Sequence, residues 1–92
     1  FESLSLILLE AMSQGKPMIV NGKCEVLKEH CVKSDYAALY YTGKTDFISN
    51  LYKLDMSVSL RLAMGRKAVV YVRENYDWSM ILTRLKNAIE TI

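Results

Sequence analysis

At 92 residues the chain has room for one domain, which buries about two-thirds of the surface its unfolded form exposes. Apolar side chains make up 51% of it, enough for a packed core and too many for a disordered segment. Twelve basic against ten acidic residues leave a net charge of +2, too balanced to point to nucleic acid, and no apolar run approaches the ~20 residues of a membrane span.

In chain order, the first element is an apolar helix over 4–14. Ser3 or Ser5 is its N-cap and Gly15 its terminator. The stretch from Phe1 to Met12 lacks the basic start of a signal peptide. The chain opens without an initiator Met, so the sequence is expected to be a piece of a longer protein. Pro17 then leads into a short strand through Val20, closed by the turn pair Asn21-Gly22. Residues 24–31 form a short helix with Val26 and Leu27 inward, and Tyr36 to Tyr41 a second strand closed by Thr42-Gly43. Two short strands joined through a helix imply a parallel pair with a right-handed crossover.

Three helices follow. Phe47, Ile48, Leu51, Tyr52 and Leu54 give the first an apolar face, with Thr45 or Asp46 as cap. Leu60, Met64, Ala68 and Tyr71 run along the second, which Asp55 caps; its Val69-Val70-Tyr71-Val72 run has strand propensity but reads as helix in this register. Asp77 starts the last, whose apolar positions Trp78, Ile81, Leu82, Leu85, Ala88, Ile89 and Ile92 repeat at threes and fours. Parallel strands are normally buried on both faces among further strands. The expected architecture is therefore α/β: a partial Rossmann-like parallel sheet of about two strands with several flanking helices, its remaining strands upstream.

Cys24 and Cys31 lie seven apart with His30 beside the second, too few ligands too widely spaced for a metal site. The expectation is two reduced, partly buried thiols of a cytosolic protein and a His30 at the surface or in a loop. Arg61, Arg66, Lys67 and Arg73 raise the question of an anionic surface partner, but Glu74, Asp77 and Glu90 dilute the patch.

Chemistry concentrates at the start of the chain. Glu2 and Glu10 stand eight apart across the first helix N-terminus, where backbone N–H groups and the helix dipole favour an anion. Read from residues alone, Glu10 joins Ser13 and Gln14 within an arc of roughly 100° that is most simply a solvated face. Leu6 projects into the same arc, and Glu2 alone is an acid favoured by the dipole.

The spacing Glu-x7-Glu, with Glu10-Ala11-Met12, then Gly15-Lys16-Pro17 and the β run Met18-Ile19-Val20, resembles the donor-binding segment of GT-B-type retaining glycosyltransferases. This is the group 1, or family 4, set that uses nucleotide-sugar donors. Ser3, Leu4 and Ser5 stand at that family's Gly, Phe and Gly positions, and Glu25 stands where a later glutamate often occurs. The resemblance implies the last part of the C-terminal Rossmann-like domain of a GT-B fold, with the final helix running back over an N-terminal domain. It implies Glu2 near the hydroxyls of the donor sugar as the catalytic-site acid, and Glu10 on the ribose. Donor-binding amides and hydroxyls at Ser3, Leu4, Ser5 and Leu6 complete the implied site, with no metal and no further cofactor. The implied partners are a nucleotide-sugar donor, a glycan, lipid or small-molecule acceptor, and the missing N-terminal domain, at the cytoplasmic side and peripheral to the inner face of a membrane. The isolated piece is expected to be inactive and to self-associate through exposed sheet edges. Two other classes stand beside this one: a non-catalytic glycosyltransferase-like assembly module, and a helical interaction domain, which the absence of a parallel strand pair would favour.

Overall fold

The computed structural model describes residues 2–91, without the side chains of Glu2, Ser3 and Trp78. Five helices and two strands follow one another as α1 (Glu2–Ser13), β1 (Ile19–Asn21), α2 (Glu25–Lys33), β2 (Leu39–Tyr41), α3 (Lys44–Met56), α4 (Val58–Asn75) and α5 (Trp78–Glu90). β1 and β2 pair in parallel, Ile19 opposite Leu39, Val20 opposite Tyr40 and Asn21 opposite Tyr41, with α2 as the crossover. The protein is a small α/β domain, and the strand pair counts against the purely helical reading.

The core forms around α1. Leu6, Leu8, Leu9 and Met12 are buried from it against Leu27 and Cys31 of α2, Ala68, Tyr71 and Val72 of α4, and Ile81 of α5. Four large apolar side chains within seven positions leave little of this helix for water, which makes it the central element. It starts at Glu2, so neither Ser3 nor Ser5 is its N-cap. It ends as expected at Gly15, whose φ of 70° permits the N–H of Gly15 to reach Met12 O and that of Lys16 to reach Ala11 O, both at 3.0 Å.

Gly65 of α4 packs directly on that terminus. A Cβ at residue 65 would stand 2.6 Å from the Gly15 carbonyl oxygen, so only a glycine lets α4 cross this close. The Val69–Val72 run is helical, because Tyr71 and Val72 bury against the core in that register and packing outweighs β propensity.

Several sequence expectations shift. On α2, Leu27 points inward but Val26 outward. The second strand begins at Leu39 rather than Tyr36, because Asp35 and Tyr36 adopt φ of 56° and 60° to close α2. Lys67 of α4 holds that turn through the Asp35 carboxylate at 3.1 Å. Of the apolar face expected on α3, only Leu54 is buried; Phe47, Ile48, Leu51 and Tyr52 are exposed, Tyr52 at 64%. Two strands offer too little surface to cover that face, and α3 is held instead by polar contacts. Asn50 donates to the Tyr40 carbonyl at 2.9 Å, and the Arg61 guanidinium donates to the carbonyls of Leu54 and Asp55.

Ser57, not Asp55, caps α4 through the Leu60 N–H, and the cap of α3 is Gly43 rather than Thr45 or Asp46. Asp77 caps α5 as expected, accepting from Met80 N–H at 3.1 Å. On α5 Ile81 is buried, while Leu82 and Ile89 are exposed; Trp78's side chain and Ile92 lie outside the described residues. Among the described residues no helix is long and apolar enough to cross a membrane.

Candidate functional site

The helix that the sequence singles out starts two residues earlier than expected, at Glu2. An α-helix that includes Glu2 uses the Leu6 amide for the bond to the Glu2 carbonyl, so the amides without an intrahelical acceptor among the described residues precede it and include Glu2, Ser3 and Leu4. Of the residues assigned to donor binding, Leu4 is half-exposed beside those amides and Leu6 is buried in the core. The Leu6 amide is therefore not a free donor. Ser5 is also turned inward, and its hydroxyl shares a hydrogen bond of 2.8 Å with Nε2 of His30. The side chains of Glu2 and Ser3 lie outside the described residues.

Glu10 is half-buried, and its two carboxylate oxygens differ. One carboxylate oxygen, Oε1, accepts from Gln14 Nε2 at 2.7 Å. The other, Oε2, is shut off from solvent and has no hydrogen-bond partner among the described residues. Buried polar atoms are nearly always paired, and a carboxylate oxygen left alone is costly. Glu10 is thus an acceptor one donor short of satisfaction.

Beyond the carboxyl ends of both strands lies a crevice of about 350 Å³, lined by Asn21, Lys23, Tyr41, Thr42, Gly43, Lys44 and Phe47. Open parallel sheets bind ligands at this end. Each strand is followed there by a turn carrying Gly-Lys, Gly22-Lys23 and Gly43-Lys44. That repetition was legible in the sequence and passed unused. Asp46 shapes the second turn: it accepts from the Thr42 and Gly43 amides at 2.7 and 2.8 Å. These bonds, Thr42's first, hold its carboxyl below the usual carboxylate range.

A second polar cluster was not anticipated. His30, expected at the surface, is buried at 7% exposure because it shares the inward stripe of α2 with Leu27 and Cys31. Its Nδ1 shares a 2.9 Å hydrogen bond with the Tyr71 hydroxyl and lies 3.4 Å from that of Tyr76. Burial pushes the His30 pKa down, so the ring is neutral at physiological pH, with one donor and one acceptor nitrogen between hydroxyls that can play either part. Burial also raises Tyr71 and lifts the Cys31 thiol to about 11. A cavity of about 230 Å³ adjoins the cluster, lined among others by Ser5, His30, Tyr76, Asp77 and Arg84. With every nitrogen of the ring engaged, the cluster ties α1, α2 and α4 together.

Both cysteines are free thiols, Cys31 fully buried. Among the described residues no three His, Cys, Asp or Glu side chains converge as a metal site. Arg61, Arg66 and Arg73 line one groove of about 490 Å³ with Leu62, Val69 and Val70, while Lys67 turns away to Asp35. Compared with known protein families, curated proteins and solved structures, the chain matches none.

Proposed function

We propose that this chain supplies part of the nucleotide-sugar site of a retaining, metal-independent glycosyltransferase, as the C-terminal half-domain of a GT-B fold. The observation that carries the reading is Oε2 of Glu10, solvent-excluded and without a hydrogen-bond partner among the described residues. A ribose hydroxyl is the donor that this oxygen lacks, and a carboxylate can accept from both hydroxyls of a diol. The free amides at the start of α1 and the ammonium groups of Lys23 and Lys44 in the strand-end crevice supply positive potential for a diphosphate.

In such a transfer the bond between the anomeric carbon and a phosphate oxygen breaks. Negative charge grows on the departing diphosphate while the sugar ring becomes cation-like. Amides fixed at a helix start stabilise that charge without reorganising. Glu2 is assigned to the donor sugar by its place in the motif. The Ser5 hydroxyl, engaged by His30, is left out of the ligand set. The acceptor, a glycan, lipid or small molecule with a free hydroxyl, belongs to an N-terminal domain, and catalysis needs both. The proposed location, carried by the resemblance alone, is the cytoplasmic side, peripheral to the inner face of a membrane.

The test is an NMR titration of the isotopically labelled chain with UDP and with GDP. Binding is expected in the millimolar range, roughly −4 kcal/mol, with shifts gathered at Glu10, Lys23 and Lys44. Absence of shifts at these residues removes the assignment, and a dissociation constant below about 1 μM contradicts the need for the remaining domain.

A further inference from the structure

Charge is unevenly spread along α4. From Met56 to Arg73 the chain carries four basic side chains and no acidic one. Lys67 turns away to the Asp35 carboxylate, which leaves Arg61, Arg66 and Arg73 around the groove of about 490 Å³. Glu74, Asp77 and Glu90, which dilute this charge in the sequence, are not among its walls. Among the described residues neither Arg66 nor Arg73 is in an ion pair.

Gly15 and Gly65 both line the groove and meet backbone to backbone there, so no side chain rises between them. Leu62, Val69 and Val70 supply apolar wall, and apolar carbon therefore lies between cations. Arg66 and Arg73, seven residues apart, leave the same face of α4 about 10.5 Å apart along its axis. Arg61 projects roughly 140° around the helix from Arg66, held by the carbonyls of Leu54 and Asp55. No strand residue is among the walls. Strands added beside β1 would extend the sheet and leave this face of α4 where it is.

We propose that this groove binds a single-chain anionic amphiphile, a long-chain carboxylate or alkyl phosphate. Its head lies against the Arg66 and Arg73 guanidiniums, and its hydrocarbon runs along Val69, Val70 and Leu62. The site is separate from the proposed donor site, because Gly15 follows the far end of α1, about 16 Å along the helix from the Glu2 amide.

The chemistry of the walls selects this occupant. A guanidinium fork holds carboxylate or phosphate oxygens in pairs. A free phosphate gains nothing from the apolar wall between the cations, whereas a hydrocarbon chain does. An extended peptide brings N–H groups, and the wall side chains offer only donors and carbon. A docked helix is at least about 10 Å across, and two turns of it occupy about 850 Å³, far more than the groove holds. A recess with cations on both rims takes one chain, where a bilayer surface calls for a protruding apolar face.

The isotopically labelled chain is titrated with dodecyl phosphate below its micelle concentration, with inorganic phosphate and with dodecyltrimethylammonium. Dodecyl phosphate is expected to saturate with a dissociation constant of about 10–100 μM. It should move the resonances of Leu62, Gly65, Val69 and Val70 and leave those of Glu10, Lys23 and Lys44 in place. Both controls are expected to bind at least about tenfold more weakly. The double variant Arg66→Gln/Arg73→Gln removes two charges from exposed positions. It is expected to bind dodecyl phosphate at least about tenfold more weakly, with the circular dichroism and the UDP-induced shifts of the parent. Should it fail to fold, the three titrations of the unmodified chain decide alone. Equal affinity for either control, unchanged affinity in the folded variant, or shifts centred on Ile48 and Tyr52 of α3 each overturns the proposal. So does binding to vesicles of anionic phospholipid with none to the monomeric amphiphile, which assigns the face to a bilayer.

Discussion

Replacing His30 by alanine is expected to be among the most destabilising single changes in this domain. The ring is buried and bridges Ser5 of α1 to Tyr71 of α4 through bonds of 2.8 and 2.9 Å. Its removal orphans two hydroxyls at about 1–3 kcal/mol each and opens a void beside an existing cavity, for a total of about 3–5 kcal/mol. Ser5→Ala, which loses one bond and little volume, should cost about 1 kcal/mol. Against a total stability of roughly 5–15 kcal/mol, the difference is easily read in a urea titration followed by circular dichroism.

The same site sets a pH dependence. Burial, reinforced by the Lys33 charge and opposed by that of Glu29, lowers the His30 pKa in the folded state. The unfolded chain therefore binds this proton more readily. The contribution of the neutral ring is complete above the ordinary histidine value of about 6.5 and declines as pH falls below it toward the lowered value. Stability of the parent should drop between pH 7.5 and 5, a drop absent from His30→Gln. A cost of His30→Ala under about 1 kcal/mol, or the same pH dependence in both proteins, would refute the reasoning.

Gly65→Ala should destabilise by about 1–3 kcal/mol, since its Cβ meets the Gly15 carbonyl at 2.6 Å; thermal melts compared with an exposed alanine substitution check it. Asp46→Asn should lower the melting temperature. Because the folded carboxyl is held low by the Thr42 and Gly43 amides, the gap between parent and variant should close as pH falls through and below the usual carboxylate range. Glu10→Ala removes an unsatisfied buried oxygen and should leave stability unchanged or raise it by up to about 1 kcal/mol, while abolishing the UDP- and GDP-induced shifts. A destabilised Glu10→Ala that still binds would reverse that division.

What the sequence made legible follows from how local each signal is. The β1–α2–β2 unit, the glycine stop at Gly15 and the Asp77 cap rest on turn and cap chemistry within a few residues, and all are found. Burial on α3 depends on what lies opposite, and periodicity alone placed Ile48, Leu51 and Tyr52 inward where no layer covers them. His30 was misjudged by composition, although its offsets of three from Leu27 and one from Cys31 put it on the buried stripe. Its hydroxyl partners lie 25 and 41 residues away in sequence, beyond the reach of any local pattern. Spacing placed Glu10 on α1, on a face read from residues alone as solvated. That one of its oxygens is closed off, without a partner among the described residues, depends on the packing of α1 and appears only in three dimensions.

The two features that fix α1 bear on the proposed donor site. Near its start the Ser5–His30 bond ties it to α2, and at its end Gly15 lies against Gly65 of α4. The amides of Glu2, Ser3 and Leu4 lie just before the first anchor and the carboxylate of Glu10 between the two, all on one helix that rises about 1.5 Å per residue along its axis. A donor site built on such a helix is preorganised, so its geometry is sensitive to the anchors as well as to the groups that touch ligand. Anchor and ligand group then differ in what they disturb. Gly65→Ala, far from the helix start, should weaken nucleotide binding in proportion to how far it displaces α1, and should shift amide resonances along the whole helix before any ligand is added. Glu10→Ala should leave those resonances in place and lose binding alone. If Gly65→Ala moves α1 and leaves binding untouched, the helix is a core element and the ligand lies elsewhere.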